Sequence, residues 1–127
     1  MSDFHAVIID DDETSIDVLA TLLETMNASY HAIQDPSQLQ NLSDILPNSD
    51  IIFLDVDMPI NGYNILRTLQ DTYQIQAPVV AYTVYTEEAE SLHTAGFHGL
   101  LSKPLKVEQF EGWVQQILAG ELVWDLG

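Results

Sequence analysis

The stretch SDIIFLDVDMPINGY, residues 49–63, decides how the rest of the chain reads. Asp50 to Leu54 form a short, nearly continuous apolar run, the pattern of a strand buried on both faces of a parallel sheet. Asp55 falls where that strand must end. Ligands of open α/β sheets bind in the crevice beyond the carboxyl ends of the strands, so position alone makes Asp55 a site candidate. The plainer reading is an ordinary strand-ending aspartate, and only the company Asp55 keeps elsewhere in the chain separates the two.

Upstream, Val7 to Ile9 is a β-branched run ending in Asp10, Asp11, Asp12 and Glu13, after which Ile16, Leu19, Leu23 and Met26 recur at helical spacing. A calcium loop starting at Asp10 is rejected, because its sixth position is Ser15 rather than Gly and its twelfth is Thr21 rather than Glu. Ser29 to Gln34 has strand character. Asp35-Pro36 then supplies a cap and a first-turn proline for a helix with Leu39, Leu42 and Leu46 inward, stopped at Pro47-Asn48.

Downstream, a loop through Met58-Pro59 and Asn61-Gly62 leads into a helix carrying Ile65, Leu66 and Leu69. Pro78 opens a fourth buried strand, Val79 to Thr83, and a short acidic helix from Thr86 presents Ala89 and Leu92 before stopping at Gly96. Gly99 to Ser102 is a brief fifth strand ending at Lys103-Pro104. The last helix places Phe110, Trp113, Val114, Ile117 and Leu118 on one face. Gly112 within it costs about 1 kcal/mol relative to Ala unless close packing requires it. Residues 121–127 read as a short tail in which Trp124 has no evident task. Five strand–helix units predict an α/β fold, a doubly wound five-stranded parallel sheet in the order 2-1-3-4-5 with helices on both faces, within one domain spanning residues 1–120.

Composition narrows the function. With 127 residues and 46% hydrophobic content the chain can build a core, and no apolar run approaches the roughly 20 residues needed to cross a bilayer. The start lacks a basic signal-peptide segment, so the expected location is cytoplasmic. The absence of cysteine removes disulfides, thiolate metal sites and a cysteine nucleophile. A formal charge of −17 repels nucleic-acid backbones and anionic membranes, leaving solubility or attraction to a basic partner as its use. Since Arg67, Lys103 and Lys106 are the only basic residues, an anion site must use one of them or a helix N-terminus.

The predicted strand order sets the ends of strands one and three side by side, crowding Asp10 and Asp11 against Asp55. Mutual repulsion there raises carboxylate pKa values, and a divalent cation removes the conflict. Few hard oxygen ligands with room for waters and phosphate oxygens suit Mg²⁺, or Mn²⁺, better than zinc or caged calcium. The ends of strands four and five add the Thr83 hydroxyl and the Lys103 ammonium. A cation, a hydroxyl and an ammonium around a carboxylate are the parts needed to stabilise a phosphoryl group in transfer to Asp55.

Asp10-Asp11 after the first strand, Asp55 before Met58-Pro59, Thr83 after the fourth strand and Lys103-Pro104 after the fifth are each modest signals; all in order, they are jointly specific. On them the chain resembles a response regulator receiver domain of two-component signalling, over Val7 to Leu118. The resemblance implies a flavodoxin-like fold, and a signalling phosphoacceptor rather than an enzyme, in which Asp55 accepts a phosphoryl group from a phosphohistidine on a histidine kinase or phosphotransfer protein. It further implies that Asp11 and Asp55 ligate Mg²⁺ through carboxylates, Asp57 through its backbone carbonyl and Asp10 through water, that Lys103 and Thr83 hold the phosphoryl oxygens, and that the Lys103-Pro104 bond is cis. By the same resemblance the start of the first helix, near Ser15 and Ile16, docks the histidine partner; the plainer reading is that Ile16 packs in the core. A single receiver with no output domain is expected, acting on a downstream protein target or relaying the phosphoryl group, as a monomer or a phosphorylation-dependent dimer.

Departures from the family pattern are concrete. Only Ile60 stands between Met58-Pro59 and Asn61-Gly62, one residue fewer than usual; Val84 follows Thr83 where a small residue is typical; Leu100 stands where the family commonly has a switching aromatic. Asp57 and Tyr85 occupy the positions that in similar domains govern how water reaches the acyl phosphate. Haloacid dehalogenase-type phosphatases share the nucleophilic Asp, Thr and Lys, but place their paired acids after the Lys and need room for a cap. The remaining alternative is a degenerate receiver that binds protein partners without being phosphorylated.

Overall fold

The computed structural model describes residues 4–58 and 61–127. Its strands are β1 His5–Ile9, β2 Ser29–Ile33, β3 Ile51–Asp55, β4 Val79–Thr83, β5 Gly99–Ser102 and β6 Val123–Trp124, all parallel, in the order β2-β1-β3-β4-β5-β6. The helices are α1 Glu13–Thr25, α2 Gly62–Asp71, α3 Ala89–Ala95 and α4 Val107–Leu118. The predicted doubly wound order is therefore observed, with one strand added at the β5 edge.

All five residues of β3 and all five of β4 are buried, as continuous apolar runs at the centre of a two-faced sheet require. Ile52 and Leu54 face a core under α2 and α3 with Leu66, Leu69 and Leu92; Ile51 and Phe53 face a second core under α1 and α4 with Leu19, Leu23, Val114 and Ile117. Phe53 stacks on Phe110 with ring centroids 6.0 Å apart. Each fully buried aliphatic side chain contributes roughly 1.5–3 kcal/mol, so the two middle strands hold their C-terminal tips rigidly. Those tips carry the site.

The segment after β2 is not an α-helix. It forms two 3₁₀ helices, Pro36–Leu42 and Leu46–Asn48, the first capped by the Asp35 side chain on the Ser37 N–H at 3.0 Å. Leu39, Leu42 and Leu46 are buried as expected, but Leu39, Leu42 and Ile45 repeat every three residues, the 3₁₀ period, and Pro47 forbids a longer helix. Gly96 ends α3 at φ +112°, a left-handed cap that a side chain would strain. In α4 an added Cβ at Gly112 would meet nothing within 4 Å, so close packing is not the reason for that glycine.

The tail is part of the sheet. Leu100 pairs with Trp124, Asp125 N–H donates to the Leu100 carbonyl at 2.8 Å, and Trp124 meets His93 edge-on at 5.1 Å between centroids. A Cβ at Gly99 would lie 2.9 Å from the Val123 carbonyl oxygen, so the glycine is what lets β6 approach. Trp124 therefore packs against the α2/α3 core.

Candidate functional site

Three turns meet beyond the carboxyl ends of β1, β3 and β4. Asp10 follows β1 and is fully buried, Asp11 beside it is exposed, and Asp55 ends β3 at 2% exposure. These three acids each offer an oxygen within 4.8 Å of the others. Asp12 does not join them: it caps α1, accepting from the Thr14 N–H at 3.2 Å and from the Ser15 hydroxyl at 2.9 Å.

Asp10 is held from two sides, by the Asp12 N–H at 2.9 Å on one oxygen and by the Tyr82 hydroxyl on the other. Burial, then the neighbouring Asp55, pushes its carboxyl up to about 6. Burial and the Asp10 charge likewise drive the Tyr82 hydroxyl far above its ordinary value, so it remains a donor. Tyr82 is the functional neighbour that sequence reasoning missed. It sits in VVAYT, counted as an apolar strand, although a buried tyrosine hydroxyl demands a partner.

Lys103 reaches back from the end of β5. Its Nζ lies 2.9 Å from Asp55 Oδ1, 3.3 Å from Asp57 Oδ2 and 4.9 Å from the Tyr82 ring centre. Burial pulls the ammonium down, yet the bonded Asp55, with Asp57 and Asp10 behind it, more than offsets this and holds it above its ordinary value. The Lys103-Pro104 bond is cis, as expected. Asp55 Oδ1 also accepts from the Asp57 N–H at 2.8 Å.

Thr83, 1% exposed, ends β4 and donates to Asp57 Oδ1, while its hydroxyl accepts from the Tyr85 N–H at 2.9 Å. The Val84 N–H donates to Asp57 Oδ2 at 3.1 Å, and the Val84 side chain is exposed, so its bulk does not screen the amide. Asp57 thus turns its carboxylate toward Thr83, Val84 and Lys103. Leu100 is fully buried. Pro59 and Ile60 of the shortened loop lie outside the described residues, and beyond them Asn61 caps α2 on the Tyr63 N–H at 2.8 Å. Ile16 is in the core; Thr14, Ser15 and Val18 instead line a groove beside the site with Tyr82, Lys103, Pro104 and Leu105.

The donor set fits a hard divalent ion. Among the described residues Lys103 is the one cation bonded to this cluster of three carboxylates, burial and the neighbouring Asp55 disfavour the charge on Asp10, and an all-oxygen set of this kind suits Mg²⁺.

Strand-end acids, a threonine and a lysine around one buried aspartate define a class of α/β domains with an acidic site at the carboxyl edge of the sheet. The family model for the response regulator receiver domain matches residues 6–115, and this chain belongs to that family. No curated protein sequence matches the chain significantly. Similar solved structures include the chemotaxis response regulator CheY4 of Vibrio cholerae (18% identity over 91% of this chain and 99% of that one, TM-score 0.79), the receiver domain of the Francisella response regulator 1452 (22%, 92% and 98%, 0.78) and a two-component response regulator from Clostridium difficile (23%, 91% and 96%, 0.79). At these identities they establish the fold. Among the described residues no helix is long and apolar enough to cross a membrane.

Proposed function

We propose that the chain takes a phosphoryl group from a phosphohistidine of a kinase or phosphotransfer protein onto Asp55. The observation that carries this is the 2.9 Å contact of Lys103 Nζ with Asp55, in a pocket where Thr83 and the Val84 N–H face the same space. An Asp55 oxygen bonds to phosphorus as the phosphorus–nitrogen bond breaks; the bonding pair stays on that ring nitrogen, and because the other nitrogen of the phosphohistidine ring carries a proton the imidazole leaves neutral. Lys103, Thr83 and the Val84 amide then hold the phosphoryl oxygens. Asp10, Asp11, Asp55 and the Asp57 carbonyl would hold Mg²⁺, which supplies neutralisation of charge on the transferring group.

The groove between α1 and the β5–α4 loop is the docking face for the histidine protein. Its apolar wall, Val18, Pro104 and Leu105, adjoins Lys103 and so brings a partner's imidazole to Asp55. The phosphorylated domain acts through an altered protein-binding surface or by passing the group on.

Incubation with Mg²⁺ and acetyl phosphate, followed by intact-mass measurement, tests this directly. The wild-type chain gains one phosphoryl group; Asp55→Asn and chelation of Mg²⁺ each abolish the gain. If neither the wild type nor a chain with the neighbouring Asp57 carboxylate removed (Asp57→Ala) gains any, the reading gives way to a phosphorylation-independent interaction module.

A further inference from the structure

Both oxygens of the Asp57 carboxylate are engaged by three donors from two separate segments of the chain: the Thr83 hydroxyl on Oδ1, and the Val84 N–H at 3.1 Å with Lys103 Nζ at 3.3 Å on Oδ2. Thr83 ends β4, Val84 begins the following loop, and Lys103 follows β5. These are the donors that the phosphoacceptor reading assigns to a phosphoryl group on Asp55. Their convergence on a side chain already present means that the pocket is filled.

We propose that the Asp57 carboxylate is a resident anion in the phosphoryl pocket, holding Thr83, the Val84 amide and Lys103 in the anion-bound arrangement, and that it must swing out before Asp55 can be phosphorylated. The inference rests on the phosphoacceptor reading and adds a gate to it.

Tethering makes the occupant effective. Asp57 lies two residues beyond Asp55 and donates its own N–H to Asp55 Oδ1 at 2.8 Å, so its carboxylate competes intramolecularly, at high effective concentration, against any incoming donor. Charge adds to this: Lys103 is shared by two carboxylates at 2.9 and 3.3 Å, leaving little positive potential for a third anion. Departure is also open to it, because the Asp57 side chain keeps 18% exposure while that of Asp55 keeps 3%. A half-exposed Val84 beside it leaves a path to solvent.

Two consequences follow. Thr83 and the Val84 amide occupy their bonded positions before phosphorylation, so the loop after β4 shifts little when the phosphoryl group replaces Asp57. Removing the carboxylate, conversely, frees all three donors and quickens uptake.

The test compares wild type, Asp57→Ala and Asp57→Asn. Amide NMR in Mg²⁺ without phosphodonor reads occupancy: the Val84 amide proton is downfield in the wild type and moves upfield in Asp57→Ala. Labelling by acetyl phosphate reads the gate: Asp57→Ala gains its phosphoryl group about tenfold faster, the scale of one lost charge-assisted hydrogen bond, with Asp57→Asn between the two. An unmoved Val84 amide, or a labelling rate in Asp57→Ala equal to or below that of the wild type, overturns the proposal. If none of the three chains takes label, the phosphoacceptor reading fails, and with it the gate, whatever the Val84 amide shows.

Discussion

Two lysines three residues apart each hold an aspartate, and the two pairs do opposite things. Lys103 binds Asp55 at 2.9 Å in a pocket where Asp57 and Asp10 compete for the same charge. Lys106 binds both oxygens of Asp125, at 2.7 and 2.8 Å, together with the Ser102 hydroxyl at 2.9 Å. Asp125 also accepts from the Ser102 N–H and hydroxyl, so its acceptors are satisfied; burial works against its charge, but Lys106 and Ser102 hold the carboxyl down at about 2. The second pair clamps β6 to the sheet edge. At the first, carboxylates outnumber the cation, which favours a metal ion there and leaves an incoming anion to be accommodated only once that excess charge is neutralised. The same ion-pair chemistry becomes a fastener or a site according to whether its charges balance.

Breaking each pair in turn separates them most sharply. Lys103→Ala lowers the rate of phosphoryl uptake from acetyl phosphate by about a hundredfold or more, as loss of a charge-stabilising donor does. Lys106→Ala leaves that rate within about twofold, yet costs about 1–2 kcal/mol in urea unfolding because β6 loses its clamp. Equal loss of uptake in both variants would erase the distinction.

Much of the site is legible in the sequence because it follows from strand order alone. Once β1, β3, β4 and β5 are recognised as buried runs, Asp10, Asp55, Thr83 and Lys103 must lie at neighbouring tips. What sequence cannot supply is the direction of a side chain. The Asp57 backbone is fixed by its distance from Asp55, whereas its carboxylate faces Thr83 and Val84 for reasons set by a loop 26 residues further on. The Tyr82 hydroxyl finds Asp10 across 72 residues. A strand of two residues gives no periodicity, so β6 is invisible until Gly99 and the Asp125 clamp are seen together. The 3₁₀ segments were visible in principle, through the three-residue spacing of Leu39, Leu42 and Ile45.

Titration sharpens the comparison at intermediate scale, because the two aspartates are shifted in opposite senses. Asp10, raised to about 6, binds its proton more tightly in the folded chain than in the unfolded one. Without divalent metal its contribution is present at low pH and lost as pH rises from about 4 to 6, up to about 3 kcal/mol. Asp125, lowered to about 2, contributes above pH ~4 and loses this as pH falls toward its folded value. Urea unfolding of metal-free protein across this range therefore shows two limbs. Asp10→Asn flattens the upper limb, Asp125→Asn the lower, and Mg²⁺ removes the upper one by favouring ionised carboxylates. An upper limb unchanged by Asp10→Asn would place the frustration elsewhere.

The smallest effect serves as the control for both pairs. Gly112 lies on the exposed face of α4, the helix that begins just after Lys106, and a Cβ there meets nothing within 4 Å. Gly112→Ala therefore raises stability by up to about 1 kcal/mol through helix propensity and reduced freedom of the unfolded chain. Because it touches neither Asp55 nor Asp125, it raises the unfolding midpoint while leaving phosphoryl uptake and both pH limbs in place. A change in uptake on this substitution would mean that α4 rigidity itself sets the Lys103 position, and that the two lysine–aspartate pairs are coupled through the helix that follows them.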